Sequence, residues 1–285
     1  MPELPEVETI ARGLNARVAG DVIESVWLGA KPEPLKSSPQ EIAAALENSR
    51  ILKVRRVGKH IVFDLHRAGT KLASTHKNDK KRKAEITAQW IVHLGMSGRL
   101  LVSEPQSEIV KHTHAIAKLA SGKELRFIDP RRFGRLSVAS TGGFDAGGIE
   151  PLEVNLDRFV SLFRGRKTPI KSALLNQKLL RGVGNIYADE SLFRAGIRPK
   201  RRASTITHDQ FAKLHSAVKE VLREAIALGG SSISDYVDSD GEEGFFQLQH
   251  RVYGRESEPC LVCGTPIKRI VIGGRSSHYC PKCQK

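Results

Sequence analysis

A chain of 285 residues is long enough for two domains, each burying a core of its own. Its 46 Lys and Arg against 31 Asp and Glu leave a net charge of +15, which favours a polyanionic partner through counterion release, nucleic acid first. No apolar run reaches the ~18 residues of a membrane span, no basic amphipathic helix stands out, and the acidic N-terminus lacks an apolar signal core, so a cytoplasmic protein without membrane attachment is expected.

The chain opens Met1-Pro2-Glu3-Leu4-Pro5-Glu6. A small second residue lets the initiator methionine be removed, exposing the secondary amine of Pro2. An α-amine titrates near ~7.7 to 8.0, against ~10.4 for lysine, so part of it is neutral and nucleophilic at physiological pH. Its attack on a sugar C1′ gives an iminium that is cationic without a proton, and this electron sink also promotes elimination from the neighbouring carbon. Glu3 is tethered close enough to protonate the opening sugar ring, and Glu6 is a second carboxylate nearby. Taken alone, the same residues are equally an irregular lead-in to a helix.

From Glu6, the spacing of Val7, Ile10, Ala11, Leu14 and Val18 predicts a helix that stops at Gly20. Ser38-Pro39-Gln40-Glu41 carries an N-cap, a proline at the first helical position and a capping-box acid, so a second short helix should end near Ser49. Short apolar runs at 22–28, 51–57, 60–65, 90–94, 114–119, 124–128 and 136–138 alternate with turns, the signature of a β-sandwich or barrel. Ser121-Gly122-Lys123 reads as a hairpin turn. Residues 73–88 hold Lys77, Lys80, Lys81, Arg82 and Lys83 among few apolar residues and read as an inserted solvated loop or an auxiliary DNA contact.

The glycines between Thr141 and Gly148 mark the best boundary: an N-terminal domain over 1–140, a linker over 141–152 and a C-terminal domain over 153–285. In the latter, Thr168-Pro169 begins one helix, and Gly182-Val183-Gly184-Asn185 separates it from a second that closes at Gly196. Asn185 there can offer donors to a phosphate or be a plain turn residue. Thr207-His208-Asp209-Gln210 caps a longer helix with Phe211, Leu214, Val218, Leu222 and Ala225 on one face. Residues 229–244, rich in Gly, Ser and Asp, read as a functional loop.

Cys260-x2-Cys263-x16-Cys280-x2-Cys283 has the spacing that converges four thiolates on one structural Zn2+, within a zinc finger over 255–285. A filled thiolate shell leaves no open position for catalysis, and no cysteine remains for a disulfide. Strands at 267–272 and 276–279 joined at Gly273-Gly274 put Arg275 near a hairpin tip, either simply exposed or entering a DNA groove. Lys59 and His93 are by pattern alone a solvated base and a structural histidine; His112 and His114 read as structural. Met96, between glycines, and Phe133, in Asp129-Pro130-Arg131-Arg132-Phe133-Gly134, place apolar side chains on tips, as wedges or as core.

MPELPEVETI, HLGMSG, DPRRFG, KSALLNQKLLRGVGNIYADESLFRAGI, VYGR and RSSHYC, in this order, resemble the formamidopyrimidine-DNA glycosylase (Fpg, or MutM) family over nearly the whole chain apart from the basic insertion. The resemblance implies an α+β fold: an N-terminal β-sandwich with flanking helices, then a helical helix-two-turns-helix domain with a β-hairpin zinc finger. It implies a bacterial-type, nucleoid-associated monomer that removes oxidised purines such as 8-oxoguanine and formamidopyrimidines from duplex DNA. Strand cutting at the abasic site by β,δ-elimination through a Schiff base on Pro2 would follow.

Carried onto this sequence, Pro2, Glu3, Lys59 and Arg275 are the catalytic group, and His93, Lys171, Asn185, Tyr253 and Arg269 contact DNA. Met96, Arg132 and Phe133 fill the void left by an everted base, Arg132 facing the orphaned partner; wedge residues of this kind offset lost stacking. Glu6, Ser231 and Tyr236 bind the lesion. Two alternatives stay open: an endonuclease VIII-like enzyme for oxidised pyrimidines, against which PELPEV, the Met96 tip and DPRRFG argue, and a noncatalytic zinc-finger DNA-binding protein, which only Pro2 with Glu3 separates.

Overall fold

The computed structural model describes residues 1–67, 86–140, 143–232, 237–239 and 241–285. Most of the basic insertion, and Tyr236, lie outside the described residues. The chain forms two compact units: residues 1–2, 6–145 and 234–243 make the first, and 3–5, 146–233 and 244–285 the second. The main division falls inside the Gly-rich passage, whereas the two exchanged segments, 3–5 and 234–243, were not foreseen from sequence.

In the first unit, α1 (Leu4–Val18) and α2 (Pro39–Leu46) flank eight strands: β1 (Val22–Leu28), β2 (Ser49–Val57), β3 (His60–Arg67), β4 (Ala88–His93), β5 (Arg99–Ser103), β6 (Thr113–Leu119), β7 (Glu124–Ile128) and β8 (Arg135–Ser140). Every neighbouring pair is antiparallel in the order β5-β7-β6-β1-β2-β3-β4-β8. β1 and β2 meet only at Val22 with Arg50 and Ile23 with Ser49. On either side of that narrow junction the two halves of the sheet feed one core: Phe63 and Trp90 from β3 and β4, Leu100, Leu125 and Phe127 from β5 and β7, and Val7, Ile10 and Leu14 from α1. A sheet whose two halves bury their inner faces against each other is the layered arrangement expected. β6 and β7 form the expected hairpin, turning at Gly122 with φ +87°. β5 was not foreseen: it is an edge strand of five residues in which Leu100 alone is buried, too short to show alternation.

Local signals explain the helices. At α2, Ser38 Oγ accepts from Glu41 N–H at 3.2 Å while Glu41 Oε2 accepts from Ser38 N–H at 2.8 Å, a complete capping box. In the second unit, Thr207 and Gln210 make the same reciprocal pair before the 20-residue α6 (His208–Ala227). With α3 (Leu156–Phe163), α4 (Ile170–Leu174) and α5 (Asn185–Arg194), α6 encloses Phe159, Phe163, Tyr187, Phe211 and Phe246. α4 runs for five residues only, because Asn176 Oδ1 takes the Lys178 N–H at 3.0 Å and offers the chain a turn in place of a further helical one. β9 (Lys268–Ile272) and β10 (Arg275–Tyr279) make the C-terminal hairpin.

Thr207→Ala should cost about 1 kcal/mol of stability, and Thr207→Ser almost nothing, in urea denaturation. Equal midpoints for the alanine variant and the parent would show that the box does not hold α6.

Candidate functional site

The glycines before α5 make room for the start of the chain. Leu4 N–H donates to Gly182 O at 3.0 Å. Gly182 has φ +88°, and a Cβ there would stand 2.8 Å from Leu4 Cδ1. Gly184 is the N-cap of α5, and a Cβ on it would fall 2.2 Å from Glu3 Cδ. Glu3 is buried, 4% exposed, and its Oε1 accepts the Ile186 N–H at 3.2 Å. The glycine turn and Glu3 are therefore one constellation: only a residue without a side chain leaves space for the carboxylate over the N–H groups that open a helix. Pro2, buried, directly precedes Glu3, and Glu6, also buried, lies in the first turn of α1.

Asn185, the first residue of α5, hydrogen-bonds the Tyr253 hydroxyl through its side chain; burial pushes that phenol's pKa up, and Asn185 partly offsets it. The next residues of α5 are an unforeseen polar core. Glu190, with no exposed surface, accepts N–H groups from Arg251, Val252 and Tyr253 at 2.9 to 3.1 Å. Burial nevertheless raises its pKa. Asp189, equally buried, pairs with Lys171 Nζ at 2.6 Å and accepts the His278 N–H at 2.9 Å. Lys171 also donates to Ser276 O at 2.7 Å. Lys171, expected at a DNA phosphate, is held here inside the protein. Its side chain is 0% exposed, burial lowers its pKa despite Asp189, and its ammonium ties α4 and α5 to β10. Ser231, expected at the lesion, is buried with Oγ 3.2 Å from His250 Nε2.

The four cysteine Sγ atoms lie within 4.8 Å of one another, with Cys260 to Cys283 at 3.9 Å and Cys263 to Cys280 at 3.5 Å. A tetrahedral zinc with Zn–S near 2.3 Å needs sulfurs about 3.8 Å apart, so the cluster fits one Zn2+. Arg275 and Arg269 are both exposed on the hairpin. Arg275 pairs with Ile272 next to the Gly273-Gly274 turn and Arg269 with His278, so alternation sends the two arginines to opposite faces.

In the first unit, two tips share one buried carboxylate. Asp129 has no exposed surface; Oδ1 accepts from Ser97 Oγ at 2.7 Å and Arg131 N–H at 3.2 Å, and Oδ2 from Gly134 N–H at 2.7 Å. Its carbonyl oxygen lies 2.9 Å from His114 Nε2, which bears out the structural role expected of that histidine. Gly95, φ +64°, would bring a Cβ 2.5 Å from the Phe133 carbonyl carbon, so the loops after β4 and before β8 pack backbone on backbone. From this base Met96 projects 40% exposed and Phe133 53% exposed. The arginine over the Phe133 ring, 5.1 Å from its centroid, is Arg131; Arg132, at φ +57°, turns to Glu33 at 2.8 Å.

His93 ends β4 with its ring 4.9 Å from that of His60, and Nδ1 accepts the Gly95 N–H at 3.0 Å. Burial, then the charges of His60, Arg135 and Lys59, push its pKa down to about 4. Lys59 is half-buried in the β2–β3 turn, where Gly58 has φ +61°. Sequence reasoning missed Asp129, Arg131, Asp189 and Glu190. The one signal was charge where periodicity demands apolar residues, as in the fully buried run Ile186 to Phe193 of α5.

Family models match the chain along most of its length: a formamidopyrimidine-DNA glycosylase N-terminal domain over residues 1–136, a formamidopyrimidine-DNA glycosylase H2TH domain over 148–237, and a zinc finger found in Fpg and IleRS over 257–285. The formamidopyrimidine-DNA glycosylase of Solibacter usitatus is 44% identical over 287 residues, covering 100% of both chains. Among solved structures, MutM (Fpg) from Thermus thermophilus superposes with a TM-score of 0.83 at 39% identity, covering 99% of this chain and 98% of that one. A Lactococcus lactis Fpg variant, in complex with Fapy-dG-containing DNA, superposes with a TM-score of 0.86 at 31% identity over 100% of both chains. Among the described residues, no helix is long and apolar enough to cross a membrane.

Lys171→Met strands the Asp189 carboxylate in the core and should cost about 3 to 5 kcal/mol, loosening the zinc hairpin so that a chelator strips metal faster. The double variant Lys171→Met with Asp189→Leu should recover most of that loss. Unchanged stability and metal release in the single variant would contradict the buried pair.

Proposed function

Because the chain belongs to the formamidopyrimidine-DNA glycosylase family, we propose that it excises oxidised purines, formamidopyrimidines and 8-oxoguanine, from duplex DNA in the cytoplasm and then cuts the strand at the abasic site. The observation that carries this reading is the seat of Glu3. A carboxylate is held in a side-chain-free notch at the start of α5, one residue after a proline whose nitrogen becomes the chain terminus once Met1 is gone.

In this reading the Pro2 amine attacks C1′, the bond to the damaged base breaks, and Glu3 protonates the sugar ring oxygen as the ring opens. The resulting iminium acidifies C2′; loss of that proton expels the 3′ phosphate, and a second elimination expels the 5′ phosphate. Lys59 and His93 meet the backbone near the lesion, as do Asn185 and Tyr253, which already share a hydrogen bond. Met96 and Phe133 occupy the gap in the stack. Arg131, carried on the Phe133 ring, is better placed than Arg132 to accompany them, since Arg132 is engaged by Glu33. Arg275 enters from the hairpin tip. The zinc, when bound, fixes the hairpin and takes no part in the chemistry.

Borohydride added during turnover should trap a protein–DNA adduct whose peptide mass maps to Pro2 after loss of Met1. Glu3→Gln should keep the fold and lose most base excision, by 10²-fold or more, because an amide cannot donate the proton. An adduct on Lys59, or full activity with a tag ahead of Pro2, would remove Pro2 from the role.

Phe133→Ala and Met96→Ala should slow capture of a lesion in duplex DNA far more than cleavage at a preformed abasic site, where little unstacking remains to be driven. Equal slowing on both substrates would count against the wedge.

A further inference from the structure

β4 ends at His93 as it enters the Met96 tip, and β8 begins at Arg135 as it leaves the Phe133 tip. The ladder sets His60 opposite His93 and His93 opposite Arg135, a row across β3, β4 and β8. Directly opposed residues in antiparallel strands present their side chains on the same face. The His60 and His93 rings lie 4.9 Å apart, and Phe144 closes edge-on over His60 at 5.1 Å. With Nδ1 of His93 taken by the Gly95 N–H, its proton sits on Nε2, leaving a neutral imidazole with one donor to offer. Arg135 is exposed, and among the described residues no carboxylate pairs with it, although its charge is felt by both histidines. Lys59 adds a second positive charge beside His93.

We infer that His60, His93 and Arg135 form one cradle for a backbone phosphodiester at the root of the two tips, in which Arg135 supplies the fixed charge, His93 Nε2–H the oriented donor, and His60 with Phe144 the packing that holds the imidazole. This rests on the DNA-glycosylase reading and extends it to Arg135 and His60. Physical necessity argues for the location. Tips that enter a base stack must bring the flanking backbone over the strand ends from which they spring. An unpaired guanidinium beside a pre-oriented donor suits a diester, which carries one charge and several acceptor oxygens. His60 acts through His93 and is a positioning residue.

The test is equilibrium binding of the zinc-loaded full chain to an undamaged duplex, by fluorescence anisotropy over a series of salt concentrations. Arg135→Ala should flatten the slope of log affinity against log salt by ~0.9, the value of one phosphate contact, and Arg135→Lys should restore it. Arg158→Ala, which removes an exposed charge on α3, is the control for net charge and should leave the slope unchanged. His60→Phe, which keeps a ring beside His93, should preserve the slope, whereas His60→Ala should weaken binding with no loss of thermal stability beyond that of His60→Phe. An unchanged slope in Arg135→Ala, or an equal flattening in the Arg158→Ala control, overturns the cradle. Failure of the parent chain itself to bind duplex DNA would instead overturn the reading on which it rests.

Discussion

Two adjacent carboxylates in α5, Asp189 and Glu190, have no exposed surface, and a buried charge must be paired or hydrogen-bonded to be tolerated at all. Most of the second unit's arrangement follows from that demand. Glu190 gathers three successive N–H groups and so fixes the 251–253 backbone, which carries Tyr253 to Asn185. Asp189 recruits Lys171 from α4 and the His278 N–H from β10, and Lys171 in turn takes the Ser276 carbonyl. The hairpin that bears Arg275 is thus held at one end by four sulfurs and along its second strand by a buried ion pair. The same helix offers the Ile186 N–H of its first turn to Glu3. Replacing the Lys171–Asp189 pair with apolar residues need not weaken the fold, so the pair serves placement more than stability.

What was legible in the sequence was local. Capping boxes at Ser38 and Thr207 act over three residues, the hairpin at Gly122 over a turn, and the zinc knuckles over their own spacing, and each stands where the pattern put it. Burial of charge is not local. Nothing near Lys171 in the chain announces that its partners come from α5 and β10, so a lysine reads as solvent-facing until the core is seen. Asp129 was hidden for the same reason: its donors Ser97 and Gly134 come from two loops far apart in sequence. Of the paired arginines, spacing favours neither, and the proposal of Arg131 over Arg132 is supported by the left-handed backbone at Arg132 and the carboxylate of Glu33. β5 escaped because an edge strand with a single inward residue has no period to read.

The first unit shows how a rigid sheet can present apolar groups to solvent without wasting them. Glycines at 95 and 134 let two loops approach to backbone contact, and Asp129 removes their freedom by satisfying donors on both. A charged tie of this kind is stronger than a neutral hydrogen bond, and being buried it is little screened by salt.

Such a tie bears on search along DNA. A protein that inspects many base pairs before meeting a damaged one repeats the entropic loss of ordering its probe at every stop, about 0.5 to 1.5 kcal/mol for each side chain immobilised. In the wedge role proposed for Met96 and Phe133, their mounting on loops already locked to a common carboxylate means that the backbone beneath them is ordered once, during folding. Interrogation can then be brief, and residence time is set by how readily the base yields and not by how long the probe takes to assemble.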